Sequence, residues 1–138
     1  MMAEASWSLH PQLAADTVSI GDLPLSRVVV MKDANYPWLI LVPRRPGLIE
    51  IIDLNEAEQA QLMGEIARAS AALKDATACD KLNIAVLGNI VPQLHVHVIA
   101  RRKGDASWPA PVWGRPPRAY GDAELQQFLA ATGGKLGL

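Results

Sequence analysis

Short apolar runs separated by turn residues make up the first part of the chain. Residues 17–20 and 27–31 are mainly apolar or β-branched, and the Gly-Asp-Leu-Pro stretch between them is typical of a hairpin turn. A third run, residues 38–42 (WLILV), follows Asn-Tyr-Pro and stops at Pro43. The pattern therefore predicts a second hairpin formed by the second and third runs.

The period becomes helical after residue 52. Asp53 and Asn55 can each cap a helix, because a glutamate follows each of them at the capping-box spacing. The helix is expected to end at about Lys74. Residues that recur at three- and four-residue steps, and so form the expected core face, are Leu62, Met63, Ile66, Ala69, Ser70 and Leu73. Glu65 and Arg68 fall among the polar positions, so the acidic residues here are expected on a solvated face.

Two further strand-like runs follow the helix. They span residues 81–87 and 91–101, and Gly88-Asn89 separates them. Strands, one long helix and more strands indicate an α+β fold with a mainly antiparallel sheet. We expect the helix on one face of that sheet and a long loop after the last central strand.

Composition and charge narrow the class of protein. The 138 residues carry 13 basic and 14 acidic side chains, a balance that argues against a dedicated nucleic-acid binder. Cys79 is the only cysteine, so an internal disulfide and a cysteine zinc site are excluded. The longest uncharged run, residues 82–100, contains Asn, Gln, His and Pro and is expected in a soluble core, not in a membrane. No secretory signal is visible, so a cytoplasmic location is expected.

The candidate chemistry lies in residues 93–99, Gln-Leu-His-Val-His-Val-Ile. Side chains alternate along a strand, so Gln93, His95 and His97 share one face while the apolar residues between them face the core. We therefore expect two imidazoles side by side on the sheet face that the helix does not cover.

Three interpretations of this pair stay open from the residues alone. The first is structural, with two histidines on a half-solvated sheet face. The second is a metal pair, which needs a third ligand from elsewhere, such as His10 or Asp105. His10 itself is expected at the surface, near a fraying end. The third is covalent catalysis, in which a neutral imidazole attacks phosphorus and a second polar group manages the leaving group.

The sequence QLHVHVIARR, residues 93–102, resembles the motif of the histidine-triad family, His-φ-His-φ-His-φ-φ, with Gln93 in place of the first histidine. The order of strands, helix and strand pair also resembles that family. The resemblance implies one domain over residues 1–138, with a core at about 18–114 and a C-terminal segment at 115–138. It also implies a homodimer whose sheet extends across both subunits.

The resemblance further implies a function. His95 would attack the α-phosphorus of a purine nucleotide, generally of adenine, and His97 would lie at the phosphate and help the leaving group depart. The implied substrates are nucleoside phosphoramidates or dinucleoside polyphosphates, with no obligatory metal beyond a divalent cation carried by the nucleotide. Gln93 cannot act as an acid or base near neutral pH. A main-chain carbonyl can still orient His95, so two hypotheses stand, an enzyme and a nucleotide-binding protein with little turnover.

Other positions resemble that family's nucleotide site less strongly. Asn83 and Asn89 resemble its polar residues near the phosphates, and Asp33 and Asn35 resemble its ribose loop, although a turn role suits both of the latter. Trp108 and Trp113 are expected to stack on a base or to seal the dimer interface. The remaining positions of interest are Trp38, which stands where the family often has a further histidine, and Arg101, Arg102 and Lys103, which either steer polyphosphate or are simply solvated.

Overall fold

A computed structural model describes residues 6–138, and it shows an antiparallel five-stranded sheet in the order β1-β2-β3-β5-β4. In chain order the elements are α1 (Pro11–Asp16), β1 (Thr17–Asp22), β2 (Ser26–Met31), β3 (Trp38–Pro43), α2 (Glu56–Thr77), β4 (Lys81–Ala85), β5 (Val96–Arg101) and α3 (Asp122–Leu136). The predicted α+β class, antiparallel sheet and long helix are confirmed. Neither α1 nor α3 was predicted.

Two predicted strands are shorter in the structure. β4 ends at Ala85, and β5 begins only at Val96, so the prediction of strand from residue 91 is wrong. Pro92 lacks the N–H that a ladder needs, and residues 86–95 form a connecting loop instead. His95 is therefore the last residue of this loop, and His97 is the second residue of the strand.

Asn55 is the residue that caps α2. Its side chain accepts a hydrogen bond from the Glu58 amide at 2.8 Å, and the Glu58 carboxylate accepts from the Asn55 amide at 3.3 Å. Asp53 instead accepts from the amides of two residues before it, in a single 3₁₀ turn. The helix continues to Thr77, three residues beyond the predicted end.

The predicted faces of α2 need two corrections. Met63 is exposed, although the period placed it in the core stripe. Glu65 is buried, because its carboxylate accepts hydrogen bonds from the amides of Leu25 and Ser26 at 2.8 and 2.9 Å. A hydrophobic period cannot anticipate this, since the partners are backbone amides of the first hairpin, about forty residues away.

Both faces of the sheet are covered. On one face, alternate residues of the central strands pack against α2 and α3. On the other face a second cluster holds Trp38, Ile40 and Ile99 of the sheet together with Leu13 of α1 and Val112 of the loop after β5. His97 lies on this second face, as predicted, because it pairs with Ile40 across the sheet. The helix leaves this face uncovered, as expected. Chain segments from both ends of the sequence close it instead, so the face is not open to solvent.

Arg101 anchors the loop that follows β5. Its side chain is only 1% exposed and donates to both carboxylate oxygens of Asp105, at 2.7 and 2.9 Å. The guanidinium also donates to the Ala110 carbonyl, and it lies against the rings of Tyr36 and Trp108. Removing one partner of a buried charge pair costs about 3–5 kcal/mol, so this loop is firmly held. Arg101 therefore does not steer polyphosphate from solvent.

Within the described residues, no helix has the length and apolar character to span a bilayer.

Candidate active site

His95 lies directly before β5 and His97 is the second residue of that strand, which runs between β3 and β4. Their rings are 5.0 Å apart between centroids and inclined at 71°. Both side chains are nearly buried, at 5% and 3% exposure. The two imidazoles are thus brought together as the alternation predicted, but in a closed environment.

The ring of His95 is oriented by the main chain. Its Nδ1 lies 2.6 Å from the carbonyl oxygen of Gln93. A carbonyl only accepts, so Nδ1 carries the proton and donates, and Nε2 of the neutral ring keeps its lone pair. Gly88 leaves room for this ring, because a Cβ built at that position would lie 3.0 Å from His95 Cε1. His95 is therefore held in the tautomer that a nucleophile at Nε2 requires.

The ring of His97 has both nitrogens engaged. The indole Nε1–H of Trp38 donates to His97 Nδ1 at 3.0 Å, and an indole cannot do otherwise because it is only a donor. His97 Nε2 must then carry the proton, which it donates to the Leu87 carbonyl at 2.9 Å. Burial lowers the pKa of His97 from its ordinary 6.5 to about 4, against the opposing effect of the Leu87 carbonyl and with a smaller contribution from His95. His97 is thus a neutral residue that holds the loop before β5.

A cavity of about 290 Å³ opens beside the two rings. Its lining includes His95, His97, Trp113, Asn89, Gly88, Leu13, Asp16, Met31 and Ile90. A neighbouring cavity of about 330 Å³ shares Asp16, Met31 and Trp113 with it and adds charged side chains, namely Lys32, Asp33 and Arg115. Volumes of a few hundred cubic ångströms are those of small-ligand sites. Apolar walls, one free ring nitrogen and nearby charges fit a nucleotide.

Similarity to known proteins agrees with this geometry. The HIT domain family matches residues 12–104, more than half of the chain. The chain belongs to the HIT family. Members of this superfamily are nucleotide-binding hydrolases and transferases.

Solved HIT structures are similar over almost the whole chain. A histidine triad protein from Bradyrhizobium japonicum is 65% identical with a TM-score of 0.94, over 96% of this chain and 99% of that one. A protein from Sinorhizobium meliloti is 45% identical with a TM-score of 0.89, over 91% and 94% of the two chains. One from Marinobacter aquaeolei is 41% identical with a TM-score of 0.93, over 96% and 98%. No curated protein matches the chain.

In this HIT chain Gln93 does not line the cavity beside His97, but with His95, Gly88 and Asn89 it lines a smaller one of about 60 Å³. Its Oε1 accepts from the His10 amide at 2.8 Å, and its Nε2 donates to the Ser8 carbonyl at 2.9 Å. The expectation of a surface His10 at a fraying end is wrong. His10 is half-buried and caps α1, where its Nδ1 accepts from the Gln12 amide at 3.1 Å.

The four predicted nucleotide-binding residues are not all brought together. Asn89 is an exposed loop residue that lines the cavity beside His95. Asn83 lies on the same face of the sheet as His97, but its Oδ1 accepts from the buried Arg101 at 2.8 Å, and it lines neither cavity. Its role in the structure is therefore to complete the anchoring of Arg101.

The predicted ribose loop is tied to the C-terminal segment. Asp33 Oδ1 accepts from the amides of Asn35 and Arg118, at 3.0 and 3.2 Å, and Asp33 lines the second cavity. Asn35 donates from Nδ2 to the Pro116 carbonyl at 3.3 Å and lines neither cavity. Both residues thus have the turn role that the sequence also suggested, and Asp33 alone borders the site.

The two candidate tryptophans differ in placement. Trp113 is 37% exposed and stands edge-on to the rings of His97 and Trp38, at 5.0 and 5.7 Å between centroids. It lines both cavities. Trp108 packs against Arg101 and lines neither of them. Of the pair, only Trp113 is placed to contact a base.

Sequence reasoning missed the wall formed by α1. Leu13 and Asp16 of this helix line the cavity with His95 and His97. The usable signal was His10 followed by Pro11, since a capping side chain before a proline at the first helical position marks a helix start.

The metal interpretation needs a third ligand. Among residues 6–138, no group of three or more His, Cys, Asp or Glu side chains is placed to hold a metal ion. His10 and Asp105 have the other partners described above.

Proposed function

We propose that this HIT protein binds a purine nucleotide beside His95 and cleaves it at the α-phosphate through a covalent nucleotidyl-histidine. The substrates are nucleoside phosphoramidates or dinucleoside polyphosphates, and the triad is a divergent one made of Gln93, His95 and His97. One observation carries the proposal. The His95 Nδ1–H donates to the Gln93 carbonyl, so Nε2 presents its lone pair beside a ligand-sized cavity.

The chemistry balances in two steps. The Nε2 lone pair bonds to the α-phosphorus as the bond from phosphorus to the leaving group breaks, and the leaving group keeps that electron pair and takes a proton from water. Water then attacks the same phosphorus and gives a proton to the hydroxide left by the first step, while the P–N bond breaks and its electron pair returns to Nε2 as the nucleoside monophosphate leaves. A transferase differs only in that another acceptor replaces water. No cofactor is obligatory in this scheme, and a divalent cation enters with the polyphosphate.

The surrounding residues support this reaction in different ways. The Asn89 amide hydrogen-bonds a non-bridging phosphate oxygen, and the cavity that Asp33 lines receives the ribose. Trp113 stacks on the base, since this exposed ring lines both cavities. His97 acts by holding the Leu87 carbonyl and, with it, the loop that carries Asn89.

The same proposal includes a homodimer in the cytoplasm, built from one domain over residues 1–138, with no nucleic acid or membrane as a partner. β4 is an edge strand of the sheet, and Ile84 on it is 50% exposed. Val86, Leu87 and Ile90, which follow it, are exposed as well. Unpaired edge strands with apolar side chains invite pairing, so a second copy would extend the sheet across this edge. Light scattering should give the mass of two chains.

Intact-mass measurement tests the reaction directly. The protein is mixed briefly with adenosine 5′-phosphoramidate or diadenosine tetraphosphate and quenched in neutral denaturant, because a phosphorus–nitrogen bond to histidine is labile in acid. We expect a mass increase equal to one nucleoside monophosphate minus water. Binding of these nucleotides without any adduct or product would contradict the enzymatic proposal.

That outcome would favour the second candidate, a nucleotide-binding protein with little turnover. Three observations favour it. Gln93 stands where the motif has a titratable histidine, Trp38 stands where a further histidine is common, and both nitrogens of His97 are occupied. No side chain among these three can donate a proton to a leaving group near neutral pH without losing a contact.

A further inference from the structure

Gln93 joins two parts of the site that are far apart in the sequence. Its carboxamide accepts from the His10 amide and donates to the Ser8 carbonyl, at 2.8 and 2.9 Å. These are the two backbone groups on either side of one residue, which a neighbouring parallel strand would also bond. The side chain therefore binds residues 8–10 as a short piece of strand would.

The main chain of the same residue holds the candidate nucleophile. The Gln93 carbonyl accepts from His95 Nδ1 at 2.6 Å. One residue thus fixes the imidazole through its backbone and the N-terminal segment through its side chain. The separation of 83 residues between Gln93 and His10 makes this a tertiary contact and not a local turn.

The segment that Gln93 holds leads directly into a wall of the cavity. His10 caps α1, and Leu13 and Asp16 of that helix line the cavity beside His95. With only six residues, α1 cannot be stable alone and depends on its tertiary contacts. Releasing residues 8–10 would therefore let this wall move relative to the ring.

We propose that Gln93 is a positioning residue that fixes α1, and hence one wall of the nucleotide cavity, relative to His95. The inference rests on the proposed function for its kinetic consequences, although the contact itself does not. A histidine at this position could not replace the carboxamide. A neutral imidazole has its donor and acceptor on divergent sides of the ring, whereas a carboxamide presents them side by side. The glutamine in this motif is thus a change of role and not a loss of one.

Substitution at Gln93 separates positioning from proton transfer. Gln93→Glu keeps the size of the side chain and the acceptor for the His10 amide, but it turns a second oxygen toward the Ser8 carbonyl. With adenosine 5′-phosphoramidate at pH 7.5, we expect Gln93→Glu and Gln93→Ala to raise KM about tenfold, or about 1.4 kcal/mol, with kcat changed less than about threefold. Gln93→His should behave like Gln93→Ala.

Gln59→Glu is the matched control. Gln59 lies on α2, and its amide also donates to a backbone carbonyl, that of Leu54, but it lines neither cavity. The same chemical change there should leave KM and kcat unaltered. A fall in kcat of a hundredfold at unchanged KM in Gln93→Ala, or higher kcat in Gln93→His, would overturn the proposal, because either result means that position 93 acts on the reacting groups.

Hydrogen exchange keeps this test independent of turnover. Without nucleotide, the His10 amide should exchange at least about tenfold faster in Gln93→Ala than in the parent protein, since its acceptor is removed. Equal exchange rates would overturn the proposal. If the parent protein turns over no nucleotide, the proposed function fails on its own, and the dissociation constant of adenosine monophosphate replaces KM. A tenfold weaker complex in Gln93→Glu then supports positioning, and an unchanged one refutes it.

Discussion

Two imidazoles that lie two residues apart, one just before β5 and one within it, have opposite hydrogen-bond states in this HIT protein. His95 donates from Nδ1 to a carbonyl and keeps a lone pair at Nε2 beside the cavity. His97 accepts at Nδ1 from Trp38 and donates from Nε2 to Leu87. The first ring thus keeps one nitrogen without a hydrogen-bond partner among the described residues, whereas both nitrogens of the second ring are engaged.

The difference shows that partners, not spacing, assign the roles. Alternation placed both rings on one face, but neither alternation nor residue type distinguishes a free nitrogen from an engaged one. The deciding atoms are a backbone oxygen of Gln93 and an indole nitrogen of Trp38.

The largest expected effect separates the two rings as chemical groups. His95→Ala should abolish the nucleotidyl adduct and lower turnover by about 10³-fold or more, because the attacking nitrogen is lost. His97→Gln should still form the adduct, although more slowly, because the attacking nitrogen of His95 remains while the carboxamide can keep only one of the two divergent contacts that the imidazole makes, to Trp38 and to Leu87. Intact-mass and steady-state measurements with adenosine 5′-phosphoramidate check both. Loss of the adduct in His97→Gln with retention in His95→Ala would reverse the assignment.

A stability effect of about 3 kcal/mol is expected from His97. Its folded pKa of about 4 lies below the ordinary 6.5, so between these values the unfolded chain binds a proton that the folded protein does not. Stability is therefore complete above pH 6.5 and is lost as the pH falls toward 4, by about 1.4 kcal/mol per pH unit at most. Urea unfolding from pH 7 to 4.5 measures this slope. His97→Gln should flatten it, and an equal slope in that variant would show that other groups are responsible.

Displacing the His95 ring without changing its chemistry should have a smaller effect. Gly88→Ala places a Cβ 3.0 Å from His95 Cε1, so the ring or the loop must shift by a few tenths of an ångström. We expect kcat to fall about tenfold, because the alignment of a nucleophile is sensitive to such shifts.

Gly64→Ala is the control for that substitution. Gly64 is exposed within α2, and a Cβ there meets nothing within 4 Å. It should leave kcat alone and stabilise the fold by about 0.5–1 kcal/mol, as alanine does in a helix. Equal kinetics in the two variants would mean that Gly88 does not support the ring.

The sequence predicted the framework of the fold better than it predicted the site. The three strand runs, the capped helix and the pairing of the motif strand follow from local periods, and the structure confirms them. The N-terminal helix was not predicted, because six residues are too few to show a helical period. The burial of Glu65 and Arg101 was not predicted, because folding brings their partners to them. Glu65 accepts from two amides of the first hairpin, and Arg101 contacts the Asp105 carboxylate and two aromatic rings.

At the site, side-chain identity was readable but hydrogen-bond direction was not. The orientation of His95 by a carbonyl could be expected from the motif, because any residue at position 93 supplies that oxygen. The engagement of His97 could not, because it needs Trp38 to lie beside it on the neighbouring strand with its N–H turned inward. The same holds for Gln93, whose partners lie in the N-terminal segment.

Trp38→Phe gives the smallest and most specific effect. Phenylalanine keeps an aromatic ring in the second cluster but removes the only hydrogen-bond donor of the side chain. The loss should cost about 1 kcal/mol of unfolding free energy, while the pKa of His97 should stay below its ordinary value, because burial is the main cause of its lowering and the phenyl ring keeps the site buried. Nitrogen NMR of the imidazoles reads both the tautomer and the titration. His97 should be protonated at Nε2 in both proteins, because the Leu87 carbonyl accepts from that nitrogen in each, and the Nδ1 signal should shift in the variant because its donor is lost. Two protonated nitrogens on His97 of the parent at pH 7 would contradict the neutral assignment. The two histidines would then differ in charge and not in hydrogen bonding.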